Sequence, residues 1–153
     1  MPSFTTKRRV PFSAGQMFAV VADVERYPQF LPLCEKLEVT SRAPAEGARG
    51  ATVISATMTV GYKSIREAFT TRVTLDQAAN EIRVQNLDGL FRHLENRWRF
   101  VDAPGGSDID FFIDYEFRSS LLGLVMGAAF DHAVRRYSAA FEARARALYA
   151  PGI

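Results

Sequence analysis

Residues 119–150 read SSLLGLVMGAAFDHAVRRYSAAFEARARALYA. Apolar side chains fall at Leu122, Met126, Phe130, Val134, Tyr137, Phe141 and Leu148, in steps of three, four and seven. That spacing places them on one face of an α-helix. Asp131, Arg135, Ser138, Glu142 and Arg146 take the other face. The pattern predicts one long helix from Ser119 to Ala150. The chain before it alternates mostly with the period of strands. A helix and a sheet each have one apolar face to bury, so the helix is expected to cover the sheet.

Working back toward the N-terminus, the strand before this helix is the clearest. Ile109, Phe111, Ile113, Tyr115 and Phe117 alternate with Asp110, Asp114 and Glu116, with Phe112 as the exception. Ala103–Ser107, containing Pro-Gly-Gly, is a turn. Strands are expected at about Phe91–Asp102 and Glu81–Asp88, with a bend at Gly89. Two more, Ala51–Val60 and Tyr62–Leu75, are expected to meet at Gly61. Ala43–Gly50 reads as a turn. Leu37 and Val39 mark a further strand. Tyr27–Cys34, with two prolines, reads as a tight loop or single helical turn. Before it, Ser13 and Gln16 form a capping-box pattern ahead of Met17, Phe18, Val20, Val21 and Val24. That helix is expected to stop near Arg26, because Pro28 disfavours helical geometry at Tyr27. Ser3–Phe12 opens the chain as an edge strand.

Composition narrows the class. The chain has 153 residues and is 48% hydrophobic and 24% charged, values that fit one globular domain, here taken as residues 1–150. Its 12 Phe, 5 Tyr and 1 Trp supply a thick core or the wall of an apolar cavity. A net charge of +2 is small for a polyanion-binding surface, so no direct DNA binding is expected. Lys7, Arg8 and Arg9 read as solvated edge charges. One cysteine excludes an intrachain disulfide and fits a reducing compartment. The start, MPSFTTKRRV, has no apolar signal core, and no run is long enough to span a bilayer. A cytoplasmic location is expected, peripheral on the inner face of the membrane.

Few residues suggest chemistry. GxSxG, HExxH, CxxC and phosphate-binding glycine motifs are missing. Two His and one Cys make no ordinary zinc set. Cys34 reads as a small buried residue. No catalytic residue and no metal ligand is therefore assigned. The strand parities are more informative. Glu67 shares a face with Ile65, Phe69, Val73 and Leu75, and Asn96 shares one with Leu94, Trp98 and Phe100. A polar group in an apolar concavity needs a partner. Glu67 and Asn96 either meet a ligand's polar head or bond each other, a water or a nearby arginine. Acid–base chemistry by Glu67 with Tyr115 or Tyr137 stays open as a third class. Leu121–Phe130 is apolar nearly all round, more than one sheet can use. That excess faces a ligand, a partner, a membrane surface or the Tyr27–Cys34 loop.

Four segments carry a family likeness: DVERYPQFLPLC (23–34), LDGLFRHLENRWRF (87–100), DYEF (114–117) and AFEARA (140–145). The chain resembles the coenzyme Q-binding START-domain family, which is polyketide cyclase/dehydrase-like and includes bacterial ribosome-association toxins. Leu33 stands where a bulky aromatic is common, and Leu90 where a proline is. The resemblance implies an α+β helix-grip fold, in which a curved seven-stranded antiparallel sheet wraps around a long C-terminal helix. It implies a bound ubiquinone or similar isoprenoid lipid, with no other cofactor, and support of respiratory electron transfer. Its other branch implies binding to the large ribosomal subunit. A lipid-binding protein with transient membrane contact fits the residues better. Its expected apolar lining is Phe30, Met58, Phe69, Phe91 and Leu94, with Trp98, Ile113, Met126, Phe130 and Val134. Glu67, Asn96, Tyr115 and Tyr137 are the candidates for the polar head. The ribosomal alternative would use Arg135, Arg136 and Arg146.

Overall fold

The computed structural model describes residues 2–45 and 50–149. Strand β1 (Ser3–Val10) is followed by helix α1 (Ala14–Ala22) and a 3₁₀ segment (Val24–Gln29). Strands β2 (Cys34–Pro44), β3 (Ala51–Tyr62), β4 (Ile65–Asp76), β5 (Glu81–Gly89), β6 (Phe91–Ala103) and β7 (Gly106–Phe117) form a meander. Helices α2 (Ser120–Arg135) and α3 (Tyr137–Tyr149) close the chain. The sheet has seven strands in the order β1-β7-β6-β5-β4-β3-β2, with antiparallel pairing throughout. The architecture is the expected helix grip.

Alternation decides which face is core. On β7, Ile109, Phe111, Ile113 and Tyr115 are buried, while Asp108, Asp110 and Asp114 point outward. Phe112 points outward too, under the Arg97 guanidinium at 4.5 Å from the ring centre. A cation over a ring face is attractive, which explains how an aromatic sits on the polar side. The α1 capping box forms as expected: Ser13 Oγ accepts from the Gln16 amide and Gln16 Oε1 from the Ser13 amide. Asp102 Oδ1 accepts from the Ala14 amide at 2.8 Å, tying the start of this helix to β6.

Three expectations need correction. α1 ends at Ala22 rather than near Arg26, and the tighter 3₁₀ segment carries the chain through Pro28. The β3–β4 turn lies at Lys63-Ser64, with Lys63 at φ 56°, not at Gly61. Gly61 sits inside β3, beside the Glu35 carboxylate at the irregular start of the β2 pairing. Finally, the C-terminal helix is two helices. Arg136 has φ −101° and ψ −1°, and its amide is shared between the Ala133 and Val134 carbonyls. This tightened, 3₁₀-like turn breaks the helix where no Pro or Gly announces it. The expected turn at Ala43–Gly50 lies partly outside the described residues.

Gly89 is the bend that the sequence indicates. It has φ 111°, and a Cβ there would meet the Ala68 carbonyl oxygen at 2.5 Å. Only glycine accepts both conditions. Next to it, the Leu90 amide donates to Ala68 O at 3.2 Å, and Leu90 O accepts from the Arg118 amide at 2.9 Å. A proline at position 90 would have no amide to donate.

Candidate functional site

A cavity of about 70 Å³ lies between the inner sheet face, the helices and the 3₁₀ segment. Phe69, Thr71 and Val73 of β4 line it, as do Leu94, Asn96 and Trp98 of β6. Leu37, Ala56, Met58, Val84 and Ile113 add one or two positions from each of the remaining inner strands. Phe130, Tyr137 and Phe141 close it from α2 and α3, and Val24, Tyr27 and Leu31 from the 3₁₀ side. It has room for a few waters. Pockets for drug-sized ligands are usually about 300 Å³ or more. Side chains therefore fill most of the space between sheet and helices.

The lining carries no charged residue. Its polar atoms differ in how they are satisfied. Asn96 Nδ2 donates to Phe112 O at 2.9 Å, and Asn96 Oδ1 accepts from Trp98 Nε1 at 3.0 Å. The Tyr27 hydroxyl donates to Val21 O. Thr71 and the Tyr137 hydroxyl make no hydrogen bond among the described residues. Burial raises the pKa of Tyr27 and Tyr137, with the neighbouring Cys34 adding to both shifts. Burial also pushes the Cys34 thiol up to about 12 and Tyr115 up to about 12. All four stay protonated at neutral pH.

The structure gathers Met58, Phe69, Leu94, Asn96, Trp98, Ile113, Phe130 and Tyr137 around this cavity. It does not bring in Phe30, Phe91, Met126, Val134, Tyr115 or Glu67. Phe30 packs on Tyr27 and Phe141, between the 3₁₀ segment and α3. Phe91 and Tyr115 belong to an aromatic cluster with Phe117 and Phe130. Met126 and Val134 are fully buried away from the cavity. Glu67 is half-buried one inward step beyond Phe69, opposite Val60. It makes no ion pair among the described residues. On the strands parity gives direction but not depth, and Phe91 turns inward only through the irregularity before His93. Thr71 was missed, although it lies between Phe69 and Val73 on the same parity. Phe141, placed by its spacing on the apolar helix face, also borders the cavity.

The start of α2 is open. Leu121 is 69% exposed, Leu124 83% and Val125 40%. The Tyr27–Cys34 segment does not cover them, since its rings pack on α3 through Phe141. Among the described residues no helix is long and apolar enough to cross a membrane, and no cluster of three potential metal ligands occurs.

Residues 10–142 match the family described as polyketide cyclase/dehydrase and lipid transport. The chain belongs to this family. The ribosome association toxin RatA of Escherichia coli K12 is 33% identical over 97% of this chain and 90% of the relative. The mitochondrial coenzyme Q-binding protein COQ10 homolog B of Xenopus laevis is 30% identical over 95% of this chain and 59% of its own length. Among solved structures, an 18 kDa protein of Caulobacter crescentus is 33% identical, with a TM-score of 0.76 over 98% of this chain and 99% of that one. The family thus holds lipid-binding, ribosome-associated and cyclase-named members on one scaffold. The differences between them must lie in cavity and surface, because fold alone does not set function.

Proposed function

We propose that this protein is a non-enzymatic lipid-binding protein that holds an isoprenoid quinone between sheet and helices. In that role it supports respiratory electron transfer as a chaperone or carrier. The observation that carries this reading is the charge-free apolar cavity with hydroxyl and amide groups in its wall. Such a lining suits a neutral ring bearing carbonyl oxygens. The cavity is smaller than the ligand, so binding requires side chains to give way. Met58, an unbranched and half-buried side chain, is suited to that. Each methylene taken from water gains about 0.8 kcal/mol. A quinone leaving a bilayer has already made that gain, so its head must supply the selectivity. The exposed leucines of α2 are the proposed membrane contact, in keeping with a peripheral position at the inner membrane face.

The test is organic extraction of protein purified from cells, with mass spectrometry for isoprenoid quinones. Titration with a short-tailed ubiquinone accompanies it. Trp98 is the chain's single tryptophan and lines the cavity, so its emission reports occupancy directly. The absence of both extracted lipid and any change in Trp98 emission would reject the reading.

The likeness to RatA favours a second reading, association with the large ribosomal subunit. Its charges are weak support. Arg135 is paired with Asp131 and Arg146 with Glu142, while Arg136 lies beside His132 Nε2 at 3.4 Å. A depression of about 500 Å³ on the outer sheet face is lined by Arg83, Arg97 and Arg99, but also by Asp76, Glu81 and Asp110. Charges that cancel give little attraction for RNA phosphates. Co-sedimentation with large subunits at low salt would support this reading, and its absence would count against it. A cyclase-like reaction would need the acid–base pair of Glu67 with Tyr115 or Tyr137. That pair is not assembled in the cavity, where the lining has no carboxylate.

A further inference from the structure

The cavity wall contains an asymmetry among its hydrogen-bonding groups. Asn96 is held from both sides, by Phe112 O and by Trp98 Nε1, and the Tyr27 hydroxyl is committed to Val21 O. Thr71 and Tyr137 are the two lining residues whose hydroxyls have no partner among the described residues. They come from opposite walls, Thr71 from β4 and Tyr137 from the start of α3. A hydroxyl facing an apolar space gains from any ligand atom that can accept its proton. Tyr137 remains protonated far above neutral pH because burial disfavours the phenolate. It is therefore a donor at every physiological pH.

Charge gives the complementary half. No Lys, Arg or His lines the cavity. A carboxylate or phosphate brought there would lose its water and meet no cation, a cost of several kcal/mol. The nearest ionisable side chain on the inward parity of β4, Glu67, one step past Phe69, is an acid and supplies no cation.

We propose that the cavity selects lipids whose head is uncharged and accepts hydrogen bonds, and that the Thr71 and Tyr137 hydroxyls recognise that head. Fatty acids and phospholipids are excluded by the absence of a counter-charge in the lining. The proposal rests on the reading of the cavity as a lipid site, and it defines the ligand by the chemistry of its head, a class that includes the quinone and excludes charged lipids.

The test uses the full-length chain and Trp98 emission at pH 8. The probes are a short-tailed ubiquinone, a long-chain methyl ketone, oleate and squalene. The ubiquinone and the ketone are expected to bind, with oleate at least roughly tenfold weaker than the ketone because its charge has no partner. Thr71→Val and Tyr137→Phe keep the shape of each side chain. Each should weaken ketone and quinone binding roughly three- to tenfold, about the worth of one hydrogen bond. Squalene, which has no oxygen, should bind both variants as it binds the wild type, and this separates recognition from a packing defect. Unchanged ketone and quinone affinity in both variants would overturn the proposal. So would oleate binding as tightly as the ketone. If the ketone binds and the ubiquinone does not, the quinone reading falls while this one stands. If nothing binds, both fall.

Discussion

Helices α2 and α3 come from one continuous apolar stripe, yet the molecule uses them differently. α3 is fastened at several points. Phe141 is buried against Tyr27, Phe30 and Trp98. Glu142 bridges Arg8 of β1 and Arg146, and Arg144 donates to Gln29. α2 buries Met126, Phe130, Ala133 and Val134 but leaves Leu121, Leu124 and Val125 in solvent. The more apolar helix is therefore not the more firmly anchored one. What matters is whether a neighbouring element lies opposite each turn. The break at Arg136 separates the helix that holds the fold from the one with surface to spare.

The contrast is sharpest in the core of α3. Phe141→Ala should cost about 3–5 kcal/mol in urea unfolding, as for other buried aromatics. A loss below 1 kcal/mol would mean that α3 is no better fixed than α2. Alkali should act on the same end. The unfolded Cys34 thiol ionises near its ordinary value of 9, whereas the folded one holds its proton to about 12. Between those values the folded state binds more protons than the unfolded state, so stability falls as pH rises. It is fully present below pH 9 and is lost progressively toward 12. Cys34→Ala should flatten part of that slope in urea titrations from pH 8 to 10.5. An equal slope in both proteins would remove Cys34 from the account.

At α2 the expected effect lies in binding, not folding. Leu121→Ser with Leu124→Ser should change stability by less than about 0.5 kcal/mol per site. The same protein should lose roughly tenfold or more in co-sedimentation with phosphatidylglycerol/phosphatidylethanolamine vesicles, since two leucines no longer leave water. Undiminished vesicle binding would end the assignment of this face to the membrane. Smallest of all, Glu142→Gln should cost about 1 kcal/mol or less, and the loss should shrink in high salt. A salt-independent loss would point to packing rather than charge.

Much of this fold is written in alternation. β7 and β6 are legible because one face meets solvent, and Gly89 and Gly105 sit where the chain bends with positive φ. The break at Arg136 is not legible, since an arginine there has ordinary helix propensity and tertiary packing decides. The site is half legible for a related reason. Period two says that Phe69 and Trp98 point inward, but Phe91, seven residues before Trp98, has the opposite parity and turns inward only through the irregularity between Phe91 and His93. Period two does not say that Phe91 meets Phe117 and Phe130 while Trp98 borders open space. Asn96 was marked as a polar group seeking a partner, and it has two. Thr71 carries the same parity signal as Phe69 and Val73, but threonine sits as readily on a solvated strand face as on an inner one, so parity alone does not mark it.

Strand β1 bonds along its whole length to β7, with Phe4 opposite Ile113 and Val10 opposite Ser107. Its partner therefore leaves the ribosome about a hundred residues later, a delay on the order of 5–20 s during synthesis. Such distant pairing slows folding, because the chain must close a long loop before the contact repays it. Through that interval the first strand waits with an unpaired edge. Lys7, Arg8 and Arg9 lie on that strand, and charges of one sign disfavour pairing between two copies of it. In the folded molecule two of those charges find partners, Arg8 in Glu142 and Arg9 in Asp108, so the residues that disfavour a wrong pairing also fasten the right one.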